Sequence, residues 1–316
     1  MALLACASTI RESPVHRARG GWYLSGRCHC HPRGGFTRAG IAAMSLKLRK
    51  LRYVIASVIL LSYGSSVFAH SPVTSSGEGQ IAALLTLSML LAFWAFYLLG
   101  ATRKRPAHYQ FLLFHAAAIL CAFAVLGPLD DWAKTSSAAH MTQHMLLMVV
   151  IAPIWVLSRP LAQIIAGSGR LWAWLWRPML RLTRYPLATA YIHGAIIWFW
   201  HMPYFYMVAV ENVWWHAIEH VCFLVTAGIF WWAVLKSSRQ NTQWSLLALL
   251  FTLMHTGFLG ALLTFASTSL YGDARSLGDQ QLAGLIMWVV GGVPYLMAAA
   301  WVGNGWYRQL QQRMDG

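Results

Sequence analysis

The stretch QIAALLTLSMLLAFWAFYLL (residues 80–99) contains no charged residue and is long enough to cross a lipid bilayer as one helix. The hydrocarbon core of a bilayer is about 30 Å thick, which requires roughly 20 helical residues. Similar apolar stretches recur to the end of the chain. We count seven of them, at 80–99, 108–128, 138–157, 186–206, 214–235, 244–267 and 282–303.

The composition of the whole chain indicates an integral membrane protein. Hydrophobic residues make up 58% of the sequence and charged residues only 10%, whereas soluble domains average about 25% charged residues. The apolar stretches are long and continuous, without the alternation of a membrane β-strand. Because a helix in lipid satisfies its own backbone hydrogen bonds, we predict an all-α, polytopic transmembrane bundle of about seven helices at 80–303.

The amino-terminal region is predicted to be separate from this bundle. Residues 1–43 show no apolar periodicity, and we do not expect them to be part of the working protein. From Met44, a basic SLKLRKLR and an apolar YVIASVILLSYGSSV precede the small residue Ala69. This order predicts a cleavable signal peptide at 44–69, with an uncleaved first helix as the alternative. A short outer segment at 70–79 would follow.

The distribution of basic residues predicts the orientation of the bundle. Short loops that retain Lys and Arg stay in the cytoplasm, so the mature chain should start in the periplasm and end in a cytoplasmic tail at 304–316. The net charge of +15 then mainly reflects the basic loops that set the orientation of the bundle, and it does not indicate nucleic-acid binding. The long inner loop at 159–186 mixes Trp, Leu and Arg, which favours contact with anionic membrane lipid.

Two histidine pairs lie near the outer ends of predicted membrane helices. His140 and His144 are four residues apart and therefore share one helix face, beside a stripe that contains Met141 and Met145. His216 and His220 repeat this spacing two segments later. Ionisable groups within a membrane are costly and are usually functional, so we predict a metal or haem site in this layer.

Other polar residues extend this predicted site. His201 lies near the outer end of the fourth segment, and Glu219 lies between the second pair of histidines. The predicted metal ligands are therefore His140, His144, His201, His216, Glu219 and His220. Further candidates are Met141, Met145, His255 in the sixth segment, Asp279 at the start of the seventh, and His70, which would become the new amino terminus after cleavage at Ala69.

Copper, as Cu(I), is the metal that these residue types favour. Imidazole suits zinc, copper and iron, whereas thioether sulfur selects Cu(I). Three alternatives remain at the level of the sequence. Haem could take paired histidines as axial ligands, zinc could bind the His216-x-x-Glu219-His220 pattern, and a metal-free scaffold could use the histidines only for hydrogen bonds between helices.

Several blocks of the sequence resemble the integral-membrane CtaG family of cytochrome c oxidase assembly factors. They are HMTQHMLLMVVIAPIWVLSRP (140–160), HMPYFYMVAVENVWWHAIEHVCFLVTAGIFWW (201–232), LGALLTF (259–265) with SLYGD (269–273), and DQQLAGLIMWVVGGVPY (279–295). The long leader before Met44 departs from that family.

This resemblance implies a multi-pass protein of the bacterial inner membrane that helps a haem-copper oxidase mature at the step of copper delivery. It implies no enzymatic turnover. The expected partners are an oxidase subunit or other assembly factors. The residues that carry the family's pattern are His140, His144, His201, His216, Glu219, His220 and Asp279.

Overall fold

A computed structural model describes residues 77–169, 173–236, 241–272 and 275–314 of the chain. Within these residues the structure is all-α and contains no strand. The predicted leader at 1–43, the predicted signal peptide at 44–69 and the candidate ligand His70 lie outside the described residues.

The described residues form the following helices, with α4 and α11 each taken as one continuous helix. They are α1 (Glu78–Arg103), α2 (His108–Leu126), α3 (Pro128–Thr135), α4 (Ser137–Ser158), α5 (Leu161–Ser168), α6 (Ala173–Leu182), α7 (Pro186–His201), α8 (Pro203–Glu211), α9 (Val213–Leu235), α10 (Thr242–Thr264) and α11 (Leu277–Met314).

The predicted all-α polytopic bundle is confirmed. Among the described residues, six helices are long and apolar enough to cross a membrane, namely α1, α2, α4, α9, α10 and α11. The last of these is longer than predicted, because it begins at Leu277 rather than 282 and continues to Met314.

The predicted span at 186–206 is broken in the structure. Helix α7 ends at His201, and α8 begins at Pro203 after the extended residue Met202. Proline has no backbone N–H and suits the first position of a new helix, so the chain turns there. With 16 residues, α7 extends about 24 Å at 1.5 Å per residue, and it packs against α9 and α10.

The loop predicted at 159–186 contains two short helices, α5 and α6, and α5 packs closely against α1. A Cβ atom at Gly100 would overlap the backbone of Gln163, and one at Gly167 would overlap the backbone of Phe96. The guanidinium of Arg103 also donates a hydrogen bond to the Ala166 carbonyl oxygen. The two backbones approach because glycine leaves room at both contact points.

This contact predicts a loss of stability on substitution of Gly100. We expect Gly100→Val to lower the free energy of unfolding by about 1–3 kcal/mol, because the added side chain forces α5 away from α1. Thermal unfolding in detergent measures the effect. Gly228→Ala is the matched control, since a Cβ at Gly228 in α9 meets no atom within 4 Å. Equal losses in the two variants would contradict the packing interpretation.

A π-helical segment, Leu146–Ile151, interrupts α4 below its histidine pair. Such a segment leaves backbone carbonyl groups without their usual α-helical partners. The indole Nε1 of Trp231 in α9 donates a 2.8 Å hydrogen bond to the Met148 carbonyl oxygen. This bond ties α9 to α4 and contributes to holding the two histidine-bearing helices together.

Candidate metal centre

The histidine pairs of α4 and α9 lie in the first two turns of helices with side-chain caps. The Ser136 hydroxyl accepts a 3.1 Å hydrogen bond from the Ala139 N–H at the start of α4. Asn212 Oδ1 accepts hydrogen bonds of 2.9 and 3.3 Å from the N–H groups of Trp214 and Trp215 at the start of α9. These caps fix where each helix begins, and therefore which residues face the partner helix.

Asp279 at the start of α11 also holds the beginning of α4. Its carboxylate accepts hydrogen bonds from the Ser136 hydroxyl at 2.8 Å, the Ala138 N–H at 3.3 Å and the Ser137 N–H. A carboxylate at a helix N-terminus also interacts favourably with the helix dipole. Of the predicted site residues, Asp279 is therefore placed to hold the start of α4 in position.

Four side chains from α4 and α9 form a compact group that we call the enclosed cluster: His140, His144, His216 and Glu219. One nitrogen or oxygen atom from each lies within 4.8 Å of the others. The Nε2 atoms of His140 and His144 are each 3.5 Å from Glu219 Oε2. The side chains of both histidines are only 1% exposed, and that of Glu219 is fully buried.

Several buried nitrogen and oxygen atoms of the enclosed cluster make no hydrogen bond within the described part of the chain. Within the described part of the chain, no hydrogen-bond partner is found for either ring nitrogen of His140 or His144, or for either carboxylate oxygen of Glu219. An unsatisfied buried polar group costs about 1–3 kcal/mol, and a charged group costs more. A cation held among these atoms would satisfy them, so the residues present fit a metal ion.

His201 and His220 lie beside the enclosed cluster. His201 Nδ1 is 2.7 Å from the Ile197 carbonyl oxygen, and this contact orients Nε2 as the acceptor of the neutral ring. The ring centroid of His201 is 6.3 Å from that of His144. His220 is closer to His216, with ring centroids 4.2 Å apart, than to His144, at 5.7 Å.

The methionines and His255 face other neighbours. Met141 and Met145 are buried in the apolar core, and a Cβ atom at Gly291 of α11 would lie 2.6 Å from the Met145 sulfur. His255 packs against Gly194, seven residues before His201 and therefore about 10 Å farther along α7. The structure therefore does not bring His255 to the outer cluster, and Met145 points towards α11.

The sequence analysis did not identify Asp130, which the structure brings to the site. This residue is buried in α3, with Oδ1 3.7 Å from His216 Nδ1. The Nε2 group of Gln143 in α4 donates a 2.9 Å hydrogen bond to the same oxygen. The acidic pair Asp130-Asp131 directly follows an apolar segment, and this position could have marked it as a candidate. The sequence did not indicate that the Asp130 carboxylate is buried beside the histidines.

Arg275 lies beside the starts of the histidine-bearing helix α4 and of α8. Its guanidinium donates hydrogen bonds to Ser137 Oγ at 3.1 Å, Tyr206 OH at 2.9 Å, and the carbonyl oxygens of Ala133 at 3.0 Å and Lys134 at 2.9 Å. The residue is only 5% exposed. It therefore links the end of α3 to the starts of α4 and α8.

Tyr271 adds a contact beside this arginine. Its ring stacks on Tyr206 with centroids 3.7 Å apart, and its hydroxyl donates a 3.3 Å hydrogen bond to the His201 carbonyl oxygen. Burial raises the pKa of the Tyr271 phenol, so the hydroxyl remains a donor at neutral pH. The outer layer above the histidines is therefore a connected polar network.

The end of the bundle opposite the histidines carries basic residues. Lys236 follows α9, and burial, together with nearby Arg159 at the end of α4, lowers its pKa. The enclosed cluster and these basic residues thus lie at opposite ends of the same two helices, α4 and α9.

Comparison with known proteins finds one family. The model of the cytochrome c oxidase caa3 assembly factor family (Caa3_CtaG) matches residues 90–309. The matched region contains all the side chains of the enclosed cluster together with Asp130, His201, His220 and Asp279. Comparison with curated proteins and with solved structures gives no match.

Proposed function

The chain belongs to the cytochrome c oxidase caa3 assembly factor family, and from this premise we propose that it holds a copper ion in the enclosed cluster and passes it to the oxidase. Copper is the cargo in this proposal, and the chain performs no chemical conversion. The acceptor is an oxidase subunit or another assembly factor within the membrane.

The observation that carries the proposal is the position of Glu219. Its carboxylate is fully buried, and its Oε2 atom lies 3.5 Å from the Nε2 atoms of both His140 and His144. A buried carboxylate is strongly destabilising unless a positive group accompanies it. An ion bound by the neighbouring imidazoles provides that positive charge.

The negative charge at the cluster supports a bound cation. The Glu219 carboxylate lies within the cluster, and the Asp130 carboxylate lies 3.7 Å from His216 Nδ1. A cation between these groups lowers the cost of burying their charge. Imidazole is also a suitable ligand for copper.

The two ends of the bundle support a periplasmic position for the site. Basic residues such as Arg159 and Lys236 follow the ends of α4 and α9 that lie away from the cluster. Since basic flanks stay in the cytoplasm, the cluster would lie in the periplasmic half of a bacterial inner membrane. From that depth, Cu(I) could pass to a membrane-embedded acceptor without crossing bulk water.

Haem binding is the second candidate, and the two histidine pairs on adjacent helices favour it. Axial ligands of a haem approach the iron from opposite faces of a wide planar ring. The ligand atoms of His140, His144, His216 and Glu219 instead lie within 4.8 Å of one another, a grouping that suits one small ion. A Soret band in the purified protein would decide for haem.

A charge-removing substitution tests the copper proposal. We expect Glu219→Gln to weaken Cu(I) binding by about 100-fold, because the variant loses the neutralising charge while keeping the side-chain shape. Anaerobic titration of the purified protein against a coloured Cu(I) chelator measures the affinity, and wild type should bind about one ion per chain.

Two controls accompany this titration. Glu211→Gln removes an exposed carboxylate from the end of α8 and should leave the affinity unchanged. Thermal unfolding of the copper-free proteins should show that Glu219→Gln still folds. Wild-type protein that binds no Cu(I), or a folded Glu219→Gln variant with wild-type affinity, would contradict the proposal.

A further inference from the structure

We propose that Asp130, His216 and His220 form a second copper position, on the wall of a groove that opens sideways into the membrane, and that the cargo leaves the enclosed cluster through it. This inference rests on the proposed function, because it requires that the enclosed cluster holds Cu(I). It adds a route of release and assigns a ligand role to Asp130.

The three side chains have the spacing of a ligand set. One ligand atom from each lies within 4.8 Å of the others, and all three residues are buried. The Asp130 carboxylate lies 3.7 Å from His216 Nδ1, and the rings of His216 and His220 have centroids 4.2 Å apart. The hydrogen bond from Gln143 to Asp130 Oδ1 fixes the direction of this carboxylate.

The groove distinguishes this second position from the enclosed cluster. It has a volume of about 760 Å³ and is lined by parts of α1 to α6, α8 and α9. Asp130, His216 and His220 contribute to its wall, whereas His140, His144 and Glu219 do not. The rest of the wall is mainly apolar, and Val221, next to His220, is 51% exposed.

The two positions share His216, which gives the ion a continuous path. The rings of His140 and His216 are nearly parallel, with centroids 5.1 Å apart, so His216 contacts the enclosed cluster on one side and His220 on the other. An ion that keeps His216 as a ligand can exchange His140, His144 and Glu219 for His220 and Asp130. Its oxidation state does not change, and each position supplies one carboxylate as a ligand.

The ligand types make the groove position the weaker one. It offers two imidazoles and a carboxylate, while the enclosed cluster offers three imidazoles and a carboxylate. Nitrogen ligands suit copper better than carboxylate oxygen does. The ion should therefore reside in the enclosed cluster and visit the groove position before release.

Release kinetics test this route. Purified protein is loaded anaerobically with one equivalent of Cu(I) and mixed with excess neocuproine, an uncharged chelator that forms a coloured Cu(I) complex. We expect Asp130→Asn to slow copper release by at least about tenfold, a barrier increase of about 1.4 kcal/mol, while the ion stays bound in the enclosed cluster.

Asp131→Asn is the matched control. Asp131 is the adjacent acid, 34% exposed, and forms a 2.7 Å ion pair with Lys134 at the surface. Its substitution should leave the release rate within about twofold of wild type, because an exposed ion pair contributes little. A release rate in Asp130→Asn equal to that of the control would overturn the inference.

A second variant tests the groove without changing a ligand. Val221→Trp adds bulk at the exposed wall next to His220 and should slow release to neocuproine several-fold, while the amount of bound copper stays the same. Unchanged release in Val221→Trp would overturn the groove as the route. These outcomes differ from failure of the proposed function, in which the wild-type protein would bind no Cu(I) at all.

Discussion

Replacing His144 and His220 together with asparagine is expected to reduce the copper content of the purified protein from about one ion per chain to less than about 0.1. The double variant removes an imidazole from each proposed copper position, since His144 belongs to the enclosed cluster and His220 to the groove position. No complete ligand set then remains on α4 and α9.

The size of this effect follows from the environment of the ligands. His144 is almost fully buried, so bulk water cannot take the place of the lost imidazole without entering a closed interior. Each position loses one ligand, and loss of His144 should weaken binding in the enclosed cluster by about 100-fold, or roughly 2.7 kcal/mol. Metal analysis of protein purified anaerobically after Cu(I) loading measures the change. In cells, the same variant should leave the oxidase without its copper.

A control with the same number of histidine substitutions is available in the bundle. His115 and His193 lie away from the cluster, where their Nδ1 atoms contact Phe111 O at 2.8 Å and Thr226 Oγ1 at 2.9 Å. The double variant His115→Asn/His193→Asn should keep its copper. Equal loss of copper in the two double variants, or full oxidase maturation with His144→Asn/His220→Asn, would refute the assignment and favour a metal-free scaffold.

Arg275→Met is expected to produce the largest loss of stability, about 3–5 kcal/mol in the free energy of unfolding, because several charge-assisted hydrogen bonds are lost together. The guanidinium donates to the carbonyl oxygens of Ala133 and Lys134 at the end of α3, where a helix leaves its last carbonyl groups without internal partners. It also donates to Ser137 and Tyr206. Methionine fills part of the space but leaves these acceptors without their donor.

Lys134→Met is the control for this substitution. Lys134 is a neighbouring basic residue, but its side chain is 37% exposed and its ammonium group pairs with Asp131 at the surface. Its loss should cost no more than about 1 kcal/mol. Thermal and denaturant unfolding in detergent compare the two variants. A Lys134→Met protein as unstable as Arg275→Met would show that loss of a positive charge, rather than the buried contacts, causes the effect.

The role of Asp279 depends on contacts that form only in the folded protein. In sequence it lies more than 130 residues from the first histidine pair, at the mouth of the last apolar segment. The structure places its carboxylate on the N-terminus of α4, where it orients the helix that carries His140 and His144. Asp279 is therefore close to the site, as predicted, and its hydrogen bonds hold the start of α4 in place.

The sequence alone determined the membrane class and the all-α fold, and it singled out the four side chains of the enclosed cluster as candidates. Apolar segment length and the i, i+4 spacing of histidines are local properties of a helix. The proline at the break between Met202 and Pro203 is visible in the sequence, but the apolar residues on both sides of it predict one continuous span.

Only the tertiary structure decided which polar groups lie close enough together to bind one ion. It separated His255 from the cluster, turned Met145 towards α11, and brought Asp130 of α3 and Arg275 from the α10–α11 connection to the helices that bear the histidines. The physical reason is that these contacts depend on the rotation and depth of helices distant in sequence. Side-chain packing and interhelical hydrogen bonds set that rotation and depth, and apolar periodicity does not.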